Sequence, residues 1–280
     1  MRIIKAEDIK NTVKSLFISL NCEIGDDISQ ALKTALDTEK SQTAKAVLSQ
    51  LIKNNEIAKA EQIPICQDTG MAILFVEYGD KITIDGDFED AVQTGVKEAY
   101  LDGYLRKSVV TDPVFDRKNT NDNTPAVIHT KIVAGETLKI TAACKGFGSE
   151  NMSRIKMLSP SASVEGVKDF VLETVKQAGP NPCPPIIVGV GIGGTFEQCA
   201  QLSKKATLRC ITDSNPHQRY AQLENELLQE INKLNIGPAG LGGKTSALAV
   251  NIEYAPTHIA SIPVAVNICC HACRHKSIEI

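Results

Sequence analysis

The sequence predicts a mixed α/β protein of the α+β kind, with a helical N-terminal layer packed on a mixed-sheet unit. Two observations carry this. Apolar side chains recur at helical spacing through residues 1–62, and beyond Pro64 short strand-like runs alternate with helical ones. No low-complexity linker or internal repeat interrupts the chain, so a single domain over residues 1–280 is expected.

The elements follow in order. Ile9, Val13, Leu16, Phe17 and Leu20 mark a first helix. After the Gly25-Asp26 break, Ile28, Leu32, Ala35 and Leu36 mark a second. A third starts at Ser41, an N-cap residue type, and turns Ala44, Val47, Leu48, Leu51 and Ile52 inward. Met71 to Tyr78 reads as a strand, Asp85-Gly86 as a turn and Phe88 to Gly103 as a helix. The polar stretch Thr111 to Thr124 reads as a loop. Ala126 to Val133 and Thr137 to Cys144, joined by Ala134-Gly135-Glu136, carry a hairpin signal. Lys145-Gly-Phe-Gly-Ser149 reads as a glycine-rich loop. Helices are expected at Val164–Ala178, Thr195–Ala206 and Tyr220–Leu234, and a short buried strand at Pro185–Val190. Strand-like runs and turns fill Ser246 to Ile268.

Composition excludes several classes. A net charge of -3 gives no electrostatic case for nucleic acid or an anionic membrane. The absence of tryptophan leaves little for base stacking. No apolar run reaches the roughly 18–20 residues that span a bilayer, and the start lacks a signal-peptide core. A cytoplasmic location is expected. The nine cysteines are then thiols or metal ligands, not disulfides.

Two glycine motifs invite a nucleotide reading. Gly189-Val-Gly191-Ile-Gly193-Gly194 matches a dinucleotide fingerprint by letter, with Asp213 downstream as a candidate ribose acid. However, Ile211-Thr212 makes a weak second strand, and the helical N-terminal third is unlike a doubly wound domain. Gly240-Leu-Gly-Gly-Lys-Thr245 resembles half a phosphate loop, but Pro238 stands where the first glycine is needed.

The cysteines say more. In Gln62-Ile-Pro-Ile-Cys66-Gln67-Asp68-Thr69-Gly70, proline holds an extended entry and glycine permits a sharp exit. Cys183 lies in Asn181-Pro-Cys-Pro-Pro185, and Cys270 in Ile268-Cys-Cys-His-Ala-Cys-Arg274. Cys270 and Cys273, with His271 and His275 nearby, suggest zinc, but a second half-site is missing. A catalytic cysteine paired with His258 or His129 has no local signature. Three thiolates from distant segments suit an iron–sulfur cluster better, with one iron left open as a Lewis acid.

These segments carry a resemblance. Pro64-Ile-Cys-Gln-Asp-Thr-Gly70, Cys144-Lys-Gly-Phe-Gly-Ser149, Pro182-Cys-Pro-Pro185 with Gly193-Gly-Thr195, and Ile236-Gly-Pro-Ala-Gly-Leu-Gly-Gly-Lys-Thr245 resemble the class I iron–sulfur fumarate hydratases. The similarity is to the α subunit of the two-subunit form, and equally to the α subunit of L(+)-tartrate dehydratase. It runs over nearly the whole chain. It implies a [4Fe-4S] cluster on Cys66, Cys183 and Cys270. It further implies Gln67 and Asp68 facing substrate and the open iron, Arg106 binding a substrate carboxylate, and Gly148 offering a backbone contact. Asp68 is thereby the candidate catalytic residue. The implied activity is reversible hydration of fumarate to malate, or dehydration of tartrate to oxaloacetate. The implied partner is a β subunit in a hetero-oligomer that supplies the general base and acts on a small dicarboxylic acid. The rival class is a zinc-stabilised subunit without catalysis.

Overall fold

A computed structural model describes Arg2–Ile280. The chain opens with β1 (Arg2–Lys5), α1 (Ala6–Cys22), α2 (Asp26–Thr38) and α3 (Gln42–Glu61). It continues through β2 (Met71–Gly79), β3 (Ile82–Asp85), α4 (Phe88–Asp102), β4 (Val127–Val133), β5 (Leu138–Lys145), α5 (Phe147–Glu150) and β6 (Arg154–Leu158). α6 (Ser163–Ala178), β7 (Ile186–Gly194), α7 (Phe196–Ala206), α8 (Gln218–Lys233), β8 (Ala247–Thr257), β9 (Ile262–Cys269) and β10 (Arg274–Glu279) complete it. The class is α+β. Contacts gather these elements into two compact units.

The first unit holds the chain up to Gly25, Asn55–Phe147 and Arg274–Ile280. Its sheet has the order β10-β5-β2-β4, with β2 and β4 parallel and the other pairs antiparallel. β1 and β3 form a separate parallel pair. α1 packs along α4, and Ile9, Val13, Phe17, Val92 and Tyr100 share one core with Leu74 and Ile140 of the sheet. Each such buried side chain contributes roughly 1.5–3 kcal/mol relative to exposure.

The second unit holds Asp26–Asn54 and Gly148–Cys273. Its sheet has the order β6-β9-β7-β8, with β7 and β8 parallel and the rest antiparallel. α7 packs on β7 and α8 on β8. Val171, Val175, Val188, Leu227, Ile252 and Val266 belong to its core. The two sheets share a plan. A central strand leads through a helical crossover (α4 in one unit, α7 and α8 in the other) to a parallel neighbour, and the next strand returns antiparallel on the other side (β2, β4, β5 in one unit; β7, β8, β9 in the other). No sequence repeat announces this.

Several expectations need correction. The hairpin does not form: β2 lies between β4 and β5, so the two consecutive strands never pair. The turn residues between them serve β2 instead, with Gly135 N–H donating to Asp80 Oδ1 at 2.9 Å. Residues 147–150 are a helical turn, not a loop. The three N-terminal helices exist, with Ser41 Oγ capping Ala44 N–H at 3.3 Å. They are shared out, however: α1 belongs to the first unit and α2 to the second. In α3 only Ala44 and Leu48 of the five inward candidates are fully buried. Helical spacing shows which face is apolar, not what covers it.

Candidate functional site

The Cys66 segment is built by anchors at both ends. Just past the end of α3, Gln62 takes a φ of 52°, and Ile63 N–H donates to Ala58 O at 3.1 Å. Ile65 is buried, and its N–H donates to Asn21 O at 2.8 Å. At the other end Gly70 has a φ of 77°, and a Cβ there would lie 2.8 Å from the Lys145 backbone, so no other residue fits. Between the anchors Cys66 and Asp68 are half-buried and Gln67 is exposed. Cys66 Sγ lies 3.4 Å from Gln67 Oε1. Asp68 is held in place through both oxygens: Oδ1 accepts from Gly70 N–H and Oδ2 from Phe147 N–H, each at 2.9 Å. It therefore caps its own turn, as aspartate often does, while part of the carboxylate stays accessible.

A buried polar layer that the sequence did not disclose supports this loop. The Tyr100 hydroxyl lies 2.9 Å from Thr69 O and 2.8 Å from Gly70 O. Arg274 Nη1 donates to Asn21 Oδ1 at 3.0 Å, and Asn21 Nδ2 to Cys144 Sγ at 3.2 Å. Burial pushes the Cys144 thiol up to about 11, with Arg274 pulling the other way, so it stays protonated and inert. No sequence signal distinguished Tyr100 or Asn21. Arg106 is exposed, beside the buried Leu105, in the segment that follows α4.

In the second unit Cys183 is the exposed thiol. Its φ of 54° is unusual for a residue with a Cβ and costs on the order of 1–3 kcal/mol. Cys183 N–H donates to Pro180 O at 3.1 Å, and Ala239 N–H to Pro184 O at 2.9 Å. His271 N–H approaches Cys183 O at 3.4 Å, which joins the Cys183 and Cys270 segments. Of the crowded cysteines, Cys269 is buried opposite Ile187, and Cys273 is buried with its thiol donating to Thr207 O at 3.4 Å. Cys270 is half-buried. Gly148 is exposed, and a Cβ there would meet nothing within 4 Å.

The remaining candidates find other duties. His129 lies against Phe75 with ring centroids 4.8 Å apart, and His258 Nδ1 accepts from Ala260 N–H at 3.2 Å. Among the described residues no three His, Cys, Asp or Glu side chains converge tightly enough to hold one metal ion. The 189–194 glycines lie within β7, where a Cβ at Gly191 would sit 2.0 Å from Cys199 O on α7. Gly189 and Gly191 serve close helix–strand packing, and Gly193 a close approach to Ala255 of β8. The 240–245 loop closes on an internal anion. Glu39 Oε2 accepts from Lys244 N–H at 2.7 Å, and Oε1 from Lys40 and Ser41 N–H at 2.8 and 3.0 Å. The carboxylate sits where such amides would otherwise meet a phosphate. Beside it an open cavity of about 620 Å³ is lined by Lys40, Asn235, Leu241 and Lys244.

Comparison with known proteins completes the description. Residues 10–279 match the family described as fumarate hydratase (Fumerase). A Methanocaldococcus jannaschii protein, provisionally named L(+)-tartrate dehydratase subunit alpha, is 42% identical over 271 residues, covering 95% of each chain. The L(+)-tartrate dehydratase subunit alpha of Escherichia coli (strain UTI89) is 35% identical over 265 residues, covering 93% of this chain and 87% of its own. The protein of that name from Shigella boydii gives the same figures.

Proposed function

The chain belongs to the fumarate hydratase (Fumerase) family, and from that premise we propose that it is the α subunit of an iron–sulfur hydro-lyase acting on a small 2-hydroxydicarboxylic acid. The observation that carries the reading is the Cys66-Gln67-Asp68 loop, which presents a thiol, an amide and a carboxylate from rigid anchors.

Cys66, Cys183 and Cys270 would hold a [4Fe-4S] cluster. Support comes from their accessibility: Cys22, Cys144, Cys199, Cys269 and Cys273 are buried, whereas Cys66, Cys183 and Cys270, like Cys210, are not. All nine are thiols, as a reducing cytoplasm keeps them. When bound, a cluster with one iron free of protein ligands supplies a Lewis acid for a poor leaving group, hydroxide.

The chain's own residues do the rest of its share. The planar fork of Arg106 suits bidentate capture of a substrate carboxylate. Gln67 offers an amide donor to a substrate oxygen, and the exposed backbone at Gly148 a further contact. Asp68, oriented by the Gly70 and Phe147 amides, accepts a hydrogen bond from the substrate hydroxyl and so orients the leaving group. Removal of the carbon-bound proton falls to the β subunit, and the two chains form a hetero-oligomer.

The substrate pair is malate and fumarate, a step of the tricarboxylic acid cycle. L-tartrate is the second reading, favoured by the names of the relatives. Anaerobic co-expression with the β subunit, followed by assays on malate and both tartrate enantiomers, decides between them. Turnover of malate with negligible turnover of tartrate supports the first, and the reverse result the second. Loss of neither cluster nor activity on mutating Cys183 would sink the cluster assignment for both.

A further inference from the structure

Two segments of the first unit carry the side chains assigned to substrate contact: Gln67–Asp68, exposed and half-buried, and the exposed Arg106. They are separated in sequence but tied together by buried side chains. Thr69 is 2% exposed, and its Oγ1 donates to Arg106 O at 3.0 Å. Asn123 is 0% exposed. Its Oδ1 accepts from Ser108 N–H at 2.6 Å and from Val109 N–H at 3.2 Å, while its Nδ2 donates to Gly70 O at 3.0 Å. The partners fix the amide's orientation, because a flipped amide would set its NH₂ against two N–H donors. Asn123 also holds a φ of 61°, a conformation asparagine tolerates better than most residues. A residue that is fully buried, left-handed and bonded through all of these atoms serves the two segments it bridges.

We propose that Asn123 and Thr69 are positioning residues that set the spacing between the Gln67–Asp68 loop and Arg106, and so select the length of the dicarboxylate that meets both. The Tyr100 hydroxyl fixes the same turn from beneath, at Thr69 O and Gly70 O. The three together leave the turn few ways to shift. The proposal rests on the reading of Arg106 as a carboxylate-binding group, and small displacements of such a group are costly to catalysis.

The test uses the anaerobic complex with its β subunit. Asn123→Gly keeps the left-handed backbone and removes the bridge. Thr69→Val removes the hydroxyl at equal size, and Thr69→Ser retains it. Succinate and glutarate serve as unreactive four- and five-carbon probes, their binding measured by calorimetry. Asn123→Gly and Thr69→Val should each raise KM about tenfold or more, with a smaller fall in kcat. Both should narrow the difference in affinity between succinate and glutarate, and Thr69→Ser should restore it. Cluster content should be unchanged. Native KM and native probe preference in both variants, with only thermal stability lost, would overturn the proposal. Arg106→Lys separates it from the reading beneath. Weakened succinate binding in Arg106→Lys beside native binding in Asn123→Gly removes the positioning role alone. Native binding in Arg106→Lys removes the site assignment itself. Should Asn123→Gly fail to fold, the valine and serine variants at Thr69 decide the matter.

Discussion

Cys183 combines three properties no other thiol here has: exposure, flanking prolines and a left-handed backbone. Such strain persists only where the surroundings enforce it. Changing Cys66, Cys183 or Cys270 singly to Ser should abolish the visible absorbance of the anaerobic protein and most of its iron and sulfide. Cys22→Ser should keep both, because Cys22 is buried at the end of α1. Full iron content in Cys183→Ser would falsify its role. The Cys66 and Cys183 segments stood out in the sequence because proline and glycine constrain their neighbourhoods locally, and Cys270 stood out by the crowding of cysteines around it. The residues behind them did not. Asp68 meets Phe147, and Arg274 meets Asn21, across separations that no local pattern encodes.

At the scale of elements, helices were easier to foresee than pairings. α1 buries the same five apolar residues that its spacing marked, since helical periodicity is a local property. Strand pairing is not local, and β2 slipped between two strands whose connection looked like a hairpin. The β7 glycines matched a nucleotide fingerprint only by letter for a related reason: Gly189 and Gly191 make room for α7, which only the fold brings near. Gly191→Ala should cost at least about 3 kcal/mol in chemical denaturation, the upper end of overpacking penalties. Gly148→Ala should stay within about 0.5 kcal/mol, as surface changes do. Equal midpoints for the two would contradict the packing account. The Glu39 latch makes a pH prediction. Burial pushes its carboxyl up, but the amides of Ser41, Lys40, Lys244 and Thr245 together hold it below the usual 4.5. A depressed folded value means stability that is complete above the unfolded value and lost as pH falls through the folded one. Glu39→Gln should therefore destabilise the protein at pH 7, and the gap to wild type should narrow as pH falls below the usual 4.5. A gap that persists at the lowest pH would mean the carboxylate charge is irrelevant.

For the whole molecule, elimination requires a Lewis acid at the leaving hydroxyl and a base at the neighbouring carbon. We assign no such base to this chain. Purified alone without oxygen, it should turn over neither malate nor tartrate, and adding the β subunit should restore turnover. Activity of the isolated chain would reveal a base among its own residues. The α+β class was readable from alternating periodicities, but the shared plan of the two sheets was not, because topology repeats here without sequence repeating. The chain also passes from one unit to the other at Gly25, Asn54, Phe147 and Cys273. That path has a consequence for the order of events on the ribosome. β5 is made early, yet its edge partner β10 emerges only after the whole second unit. The sheet behind the Cys66 loop must wait, with one edge uncovered, while everything from β6 to β9 is synthesised. An uncovered strand edge is where chains mispair. Slowing translation after Phe147 should therefore lower the soluble yield more than slowing it before Gly25.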